Sequence, residues 1–238
     1  MAGTPDHRST HSAKNSAPTV KVSGFTIVRN VIRYDYPVVE SIMSVLPLCT
    51  EFVISVGKSD DDTLELMNMI SNEKTKIIES VWDDSLREGG KVLAIETNKA
   101  FAAVSPDSDW AFYIQADEVI HEGDVPKIKE ALLKYKDDSE VEGLLFNYKH
   151  FYGSFDYVGD ARQWYRHEIR VIKNDKSISS YRDAQGFRKN GQKLKVKKVD
   201  ATIYHYGWVK PPAAQQAKQQ SFHKMWHNDE WMKKNIPT

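Results

Sequence analysis

The chain has 238 residues, of which 40% are hydrophobic and 28% are charged. This length and composition suit one globular domain with a sizeable core and, at most, short appendages. Lys and Arg together number 33, as do Asp and Glu, so the formal net charge is zero. The charge balance therefore argues against a nucleic-acid-binding protein or a generalised membrane-binding surface.

Cysteine content and hydropathy limit the cellular setting. The single cysteine, Cys49, excludes a disulfide framework, and a reducing compartment, the cytoplasm, is the expectation. No apolar run approaches the roughly 18 residues needed to span a bilayer, which leaves only peripheral membrane contact open. Residues 1–19 lack the apolar centre of a signal peptide, and we expect them to form a disordered leader.

Strand and helix patterns alternate along the first 136 residues. We predict strands at 21–30, 51–57, 75–80 and 110–117, and helices at 36–48, 58–72, 86–104 and 125–136. Further strands are predicted at 142–153 and 167–174, and a last helix at 213–235 carries Phe222, Met225 and Trp226 on one stripe. The order predicts an α/β fold with a mostly parallel sheet sandwiched by helices.

This pattern divides the chain into a leader at 1–19, one domain at 20–210 and a C-terminal helical extension at 211–238. The last helix has no closing cap, so two alternatives stay open: a truncated piece of a longer protein, or a helix that packs late onto the sheet. Ligands of parallel sheets bind beyond the carboxyl ends of the strands. The polar residues at those ends are Arg29 and Asn30, residues 57–62, and residues 115–118.

Four stretches, in this order, resemble family 2 glycosyltransferases of the GT-A fold. They are FTIVRNVIRYDYPVVESIMSVLP, EFVISVGKSDDDTLELM, REGGKVLAIETNKAF and WAFYIQADEVI, and together they cover about residues 22 to 120. The last resembles the strand that carries the family's DxD motif. A later stretch, IYHYGW at 203–208, resembles the histidine segment that some members place near the metal. The resemblance implies a GT-A-type sheet.

The resemblance also implies a chemistry. Its substrates would be a nucleotide-diphosphate sugar donor and a glycan or other hydroxyl acceptor, and its cofactor Mn²⁺ or Mg²⁺, which stabilises the charge on the leaving diphosphate. Asp117 and His205 would hold the metal. An inverting transfer needs a base, for which Asp183 is the first candidate and Glu168 the second. The implied donor-binding positions are Thr26, Val28, Arg29, Gly57, Lys91, Gln115 and Ala116.

The chain departs from the family pattern at two places. Val56 and Gly57 stand where the family has an Asp pair, and Gln115 replaces the first Asp of DxD. A neutral amide can hydrogen-bond a ribose hydroxyl but brings no charge to a metal. A non-catalytic nucleotide-sugar or glycan-binding module of the same fold is therefore the alternative function. A nucleotidyltransferase is disfavoured because VRNVIRYDYP, at 28–37, contains no glycine.

Structural explanations remain open for the same residues. Asp117 and Glu118 could cap the helix that follows them, and His205 could be a core histidine. Asp183 could pair with a neighbouring arginine. The aromatic side chains in 147–167 could fill the core or stack on sugar rings, and the basic tract 188–198 could be a solvated hairpin or could contact a diphosphate or an acidic acceptor.

Overall fold

The computed structural model describes residues 19–236, and across this range the chain forms twelve strands and six α-helices. The strands are β1 (Val22–Val28), β2 (Glu51–Gly57), β3 (Thr75–Ser80), β4 (Trp110–Tyr113), β5 (Glu118–Ile120), β6 (Gly143–Tyr152), β7 (Ser154–Val158), β8 (His167–Lys173), β9 (Ile178–Tyr181), β10 (Gly186–Lys189), β11 (Gln192–Lys193) and β12 (Val196–Trp208). The helices are α1 (Val38–Val45), α2 (Thr63–Ile70), α3 (Lys91–Ala102), α4 (Val125–Lys134), α5 (Pro212–Lys224) and α6 (Asp229–Asn235).

Nine strands form one large sheet in the order β3-β2-β1-β4-β8-β6-β12-β5, with β7 paired to β6. Strands β3, β2, β1 and β4 run parallel. Strand β8 enters antiparallel between β4 and β6, and β12 runs parallel to β6. The predicted α/β fold, one domain with a large helix-covered sheet, is confirmed. Its second half is mixed rather than parallel, because β5 pairs antiparallel with β12.

Two apolar clusters hold the layers together, one on each face of the large sheet. All seven residues of β1 are buried, and they alternate between the clusters: Val22 and Val28 belong to one, Phe25 and Ile27 to the other. The first cluster contains the buried sides of α1, α2 and α4. The second contains α3 and residues of the separate sheet β11-β10-β9. A strand covered on both faces is mostly apolar along its length, as β1 and β2 are.

The C-terminal region differs from the single helix predicted at 213–235. The structure breaks this segment after Lys224 and restarts it at Asp229, where the Asn228 side chain accepts a hydrogen bond from the Trp231 amide at 2.9 Å. An asparagine in this position satisfies a free amide of the first turn and so begins a new helix. The segment packs onto the domain, because the Arg87 guanidinium binds the Asp229 carboxylate at 2.7 Å.

The leader predicted for residues 1–19 lies, apart from Thr19, outside the described residues. Within residues 19–236, no helix is both long and apolar enough to cross a bilayer.

Candidate active site

Asp117 lies in the turn between β4 and β5, at the carboxyl end of the parallel strands, and only 7% of its surface is exposed. Its Oδ2 atom is 3.1 Å from the Lys218 Nζ and 3.5 Å from the His205 Nε2. Burial alone would raise the pKa of this carboxyl. The nearby Lys218 and His205 outweigh burial, however, and hold the pKa well below its usual range. Asp117 is therefore a buried, ionised carboxylate.

His205 is oriented by a second histidine. It lies on β12 directly beside His150 of β6, with their Nδ1 atoms 3.2 Å apart. The His150 Nε2 is 3.2 Å from the Tyr165 carbonyl oxygen, which can only accept, so this nitrogen carries a hydrogen. Burial, with a contribution from His205, lowers the pKa of His150 to about 4, so His150 is neutral at pH 7.

This hydrogen-bond chain determines which ring nitrogen of His205 can contact Asp117 or a cation. Because the neutral His150 donates from Nε2, its Nδ1 accepts, and the His205 Nδ1 must donate to it. The remaining ring nitrogen of His205, Nε2, faces the Asp117 carboxylate, to which it donates when it carries a hydrogen; without that hydrogen its lone pair can bind a cation. A fixed tautomer of this kind is the usual support for a metal-ligating histidine.

Gly207 lets these two groups pack closely against the backbone of β12. A Cβ atom at this position would lie 2.5 Å from the Asp117 Oδ2 and 2.6 Å from the His205 Nε2. A carboxylate oxygen and an imidazole nitrogen suit Mn²⁺ or Mg²⁺ when phosphate oxygens complete the shell. Across residues 19–236, no group of three or more His, Cys, Asp or Glu side chains could hold a metal by itself. A cation at this pair would share the Asp117 Oδ2 with the Lys218 Nζ, and oxygens of a substrate would have to complete its shell.

Lys218 on α5 also contacts Asp117 and was not predicted from the sequence. Its Nζ is buried and also donates to the Gly207 carbonyl oxygen at 2.9 Å. Desolvation would lower the pKa of this amine, but Tyr36 and Asp117 outweigh it and raise the pKa. Lys210 lies 4.1 Å from the centre of the same Tyr36 ring. The surrounding polar segment, AAQQAKQQ, gives no pattern that singles out one buried lysine.

Glu118 belongs to a buried ion pair. Both of its oxygens accept from Arg170, at 2.8 Å from Nε and 2.5 Å from Nη2, and the Tyr148 hydroxyl also donates to it. The helix-capping explanation for Asp117 and Glu118 is wrong, because Glu118 begins strand β5 and α4 begins at Val125. The sequence contained one indication of this pair, because Arg170 lies between Ile169 and Val171 in β8.

The two candidate bases, Glu168 and Asp183, both lie near the carboxyl end of β4. The Glu168 Oε2 is 3.7 Å from the Arg170 Nη1, and burial, opposed by Arg170, raises the pKa of Glu168 to about 7. Asp183 lies in the β9–β10 loop, where burial also raises its pKa. The Gln115 Nε2 donates to the Ala184 carbonyl oxygen at 3.4 Å, which brings this loop to the end of β4.

Most of the implied donor-binding side chains are buried in the fold or paired with another residue. Thr26 and Val28 are buried in β1. A Cβ at Gly57 would collide with the Trp82 ring, so this glycine serves close packing. The two positively charged side chains of the set already have acidic partners. Arg29 binds Asp84 at 2.5 and 2.9 Å, and Lys91 binds Glu88 at 2.7 Å. Ala116 packs against the first apolar cluster.

The aromatic stretch 147–167 divides between core and surface. Tyr148 is buried, whereas Phe155 and Tyr157 on β7 are 70% and 71% exposed. The basic tract 188–198 forms the β10–β11 hairpin and the start of β12. Its Lys189 and Lys195 bind carboxylates of Glu142 and Glu140, among others.

Comparison with known proteins identifies the fold. No protein-family model matches the chain, and no curated protein sequence matches it. Among solved structures, S. aureus TarS 1–349 has a TM-score of 0.50 at 13% identity, covering 84% of this chain and 64% of that one. The same fragment in complex with UDP also has a TM-score of 0.50 at 13% identity, covering 91% and 69%. The fold is of the GT-A type.

Two further structures are more distant. The 4-diphosphocytidyl-2C-methyl-D-erythritol synthase of Anaerococcus prevotii has a TM-score of 0.46 at 14% identity, covering 81% of this chain and 92% of that one. Glucosyl-3-phosphoglycerate synthase of Mycobacterium tuberculosis, solved with Mn²⁺, UDP and phosphoglyceric acid, has a TM-score of 0.37 at 18% identity, covering 55% and 43%. The chain spans only 38% of a longer TarS chain.

Proposed function

We propose that this GT-A-fold chain is a metal-dependent glycosyltransferase that moves a sugar from a nucleotide-diphosphate donor to a hydroxyl acceptor with inversion. One observation carries the proposal. The Asp117 Oδ2 and the His205 Nε2 lie 3.5 Å apart beyond the carboxyl ends of the parallel strands, where both pack closely against Gly207. Such an edge of an α/β sheet is where these folds bind ligands.

Asp117 and His205 would hold Mn²⁺ or Mg²⁺, which supplies positive charge to the diphosphate as it leaves. Lys218 and Lys210 lie on the same side of the site and add to its positive field. Cations gathered at a partly buried site attract an anionic substrate and stabilise it there. The arrangement therefore suits a donor whose charge lies on its phosphates.

The transfer also needs a carboxylate to accept the hydroxyl proton of the acceptor. A general base works best when its pKa is close to the working pH. The pKa of Glu168, raised to about 7, meets that condition. We therefore propose Glu168 as the base, with Asp183 as the other candidate.

We expect Glu168→Gln to lower kcat by roughly 10²- to 10⁴-fold, because the amide cannot accept the proton. In the unchanged protein, kcat should rise as the pH increases through about 7, where Glu168 loses its proton. A pH profile of nucleotide release measures both effects. Asp183→Asn is the matched control and should keep most of the rate. A large loss in that variant, with the pH-dependent rise retained in Glu168→Gln, would assign the base to Asp183.

Gln115→Asp should tighten Mn²⁺ binding, because it adds a second carboxylate two residues before Asp117. Calorimetric titration of Mn²⁺ in the presence of UDP measures the change. Gln192→Asp adds the same charge on the exposed strand β11 and serves as the control. Equal affinities in both variants would mean that position 115 does not face the metal.

Titration with UDP and GDP, with and without Mn²⁺, tests the function itself. Metal-dependent binding of either nucleotide supports the proposal, whereas a folded protein that binds neither contradicts it. The neutral Gln115 favours a second candidate, a non-catalytic nucleotide-sugar or glycan-binding module. That module would bind the diphosphate without hydrolysis or transfer of the sugar. Cytoplasmic location stays a prediction, which fractionation of the native cells would test.

A further inference from the structure

A pocket of about 280 Å³ opens between the start of β8 and the β9–β10 hairpin. Its walls include Glu168, Tyr181, Arg182, Gln185 and Arg188, and we call it the arginine pocket. Glu168 is only 7% exposed, and its Oε2 would lie 3.6 Å from a Cβ placed on Gly186. The pocket therefore brings two guanidinium groups and one buried carboxylate to a single small space.

The two arginines of this pocket lack acidic partners. Their guanidinium carbons lie 5.1 Å (Arg182) and 4.5 Å (Arg188) from the centre of the Tyr181 ring. The Arg182 Nε donates to the Tyr181 hydroxyl at 2.9 Å, and the Arg188 Nη1 donates to the Phe187 carbonyl oxygen at 3.0 Å. Among residues 19–236, neither arginine has a carboxylate within ion-pair distance, unlike Arg29, Arg87, Arg166 and Arg170.

Arginine guanidinium groups present several parallel N–H donors, which match the oxygens of phosphate or carboxylate. Stacking on the Tyr181 ring holds both groups in place while most of their donors stay free. Such an arrangement is prepared to bind an anion.

The loop that carries Arg182 is held in an uncommon backbone conformation. Arg182 and Ala184 have φ angles of 56° and 62°, a region that residues other than glycine rarely adopt. Such strain persists where surrounding contacts impose it, and it is concentrated at functional sites. Here the hydrogen bond from Gln115 to Ala184 joins the loop to the end of β4, next to Asp117. The arginine pocket therefore adjoins the site proposed for the donor.

We propose that the arginine pocket binds the acceptor, and that the acceptor carries a phosphate or similar anionic group. Arg182 and Arg188 bind the anion, and the acceptor hydroxyl faces Glu168. In the transfer, the hydroxyl proton passes to the Glu168 carboxylate, and the hydroxyl oxygen forms a bond to the anomeric carbon. The bond from that carbon to the donor phosphate breaks, and its electron pair leaves with the nucleoside diphosphate. This assignment rests on the proposed function.

Calorimetric titration with sn-glycerol 3-phosphate, in the presence of Mn²⁺ and UDP, tests the proposal. A glycerol phosphodiester forms a second arm, because a phosphate can belong to a free monoester or to a phosphodiester-linked chain. Glycerol without phosphate is the neutral comparison. We expect one or both phosphates to bind and glycerol not to bind. The phosphate that binds more tightly shows whether the pocket prefers a free monoester or a phosphodiester-linked chain.

Arg182→Gln with Arg188→Gln should weaken phosphate binding by roughly 10- to 100-fold, because charged hydrogen bonds are lost. Lys129→Gln with Lys134→Gln removes the same charge from α4 and should leave binding unchanged. Thermal melting followed by circular dichroism confirms that both double variants are folded. Glycerol binding as tightly as its phosphate, no phosphate binding at all, or equal affinities in the two double variants would overturn the proposal.

Donor binding is measured separately, so that a failure of the acceptor assignment can be distinguished from a failure of the proposed function. The Arg182→Gln and Arg188→Gln double variant should bind UDP with Mn²⁺ as the unchanged protein does. A tenfold loss of UDP affinity would assign the arginines to the donor and overturn the acceptor assignment. An unchanged protein that binds no nucleotide would contradict the proposed function. Arginine-dependent binding of glycerol 3-phosphate by that same protein would still support the anion preference of the pocket.

Discussion

Arg170→Met is expected to lower the free energy of unfolding by about 3–5 kcal/mol, because it leaves the Glu118 carboxylate buried without its cation. Both side chains are at most 1% exposed, so water cannot replace the lost partner. Chemical denaturation followed by circular dichroism measures the change. Arg166→Met is the matched control, since Arg166 pairs with Asp160 at the surface and should cost less than about 1 kcal/mol.

A double variant separates the charge from the packing. Replacing Arg170 by Met and Glu118 by Gln together removes both charges, and most of the lost stability should return. Stability that stays as low in the double variant as in Arg170→Met would show that the arginine acts through its packing against Tyr113 and Tyr148.

Asp117→Asn is expected to lower the rate of sugar transfer by about 1,000-fold and to abolish the effect of Mn²⁺ on UDP binding. The amide keeps the shape of the side chain but brings no negative charge to the metal. Initial rates with a nucleotide sugar and UDP titrations with Mn²⁺ measure the two effects. Asp200→Asn, an exposed carboxylate on β12, should leave both unchanged.

The loss of Asp117 also leaves Lys218 buried without its carboxylate, which lowers stability by itself. Asp117→Asn with Lys218→Met removes both charges and should restore folding without restoring transfer. Activity recovered together with stability in this double variant would show that Asp117 serves only the fold.

The first half of the fold was accessible from the sequence because its strands and helices are sequential and strongly patterned. Strand β2 and helix α1 lie where the apolar runs and helical spacing placed them. Strands β5, β7, β9 and β12 were missed. β5 has three residues, β9 has four and β7 is mostly exposed, whereas β12 was missed although it has 13 residues, several of them alternately buried. Short or exposed strands carry little periodic pattern, and their pairing depends on residues far along the chain.

Part of the candidate site was named because two stretches of the sequence resemble motifs of a known family. Asp117 and His205 were named from the sequence, and the structure places them 3.5 Å apart. His150, Lys218 and Arg170 were not named, since their positions depend on which strands and helices become neighbours. His150 adjoins His205 only because β6 and β12 pair in parallel, a long-range pairing that local spacing does not reveal.

The order in which the chain is synthesised has a consequence for the two central acids. Glu118 binds an arginine that follows 52 residues later, and Asp117 binds a lysine that follows 101 residues later. Both acids therefore leave the ribosome well before the side chains that neutralise them. Until those partners arrive, burying either carboxylate would cost several kcal/mol. The parallel strands β1 to β4 can assemble early, whereas the centre of the candidate site can close only after α5 has emerged.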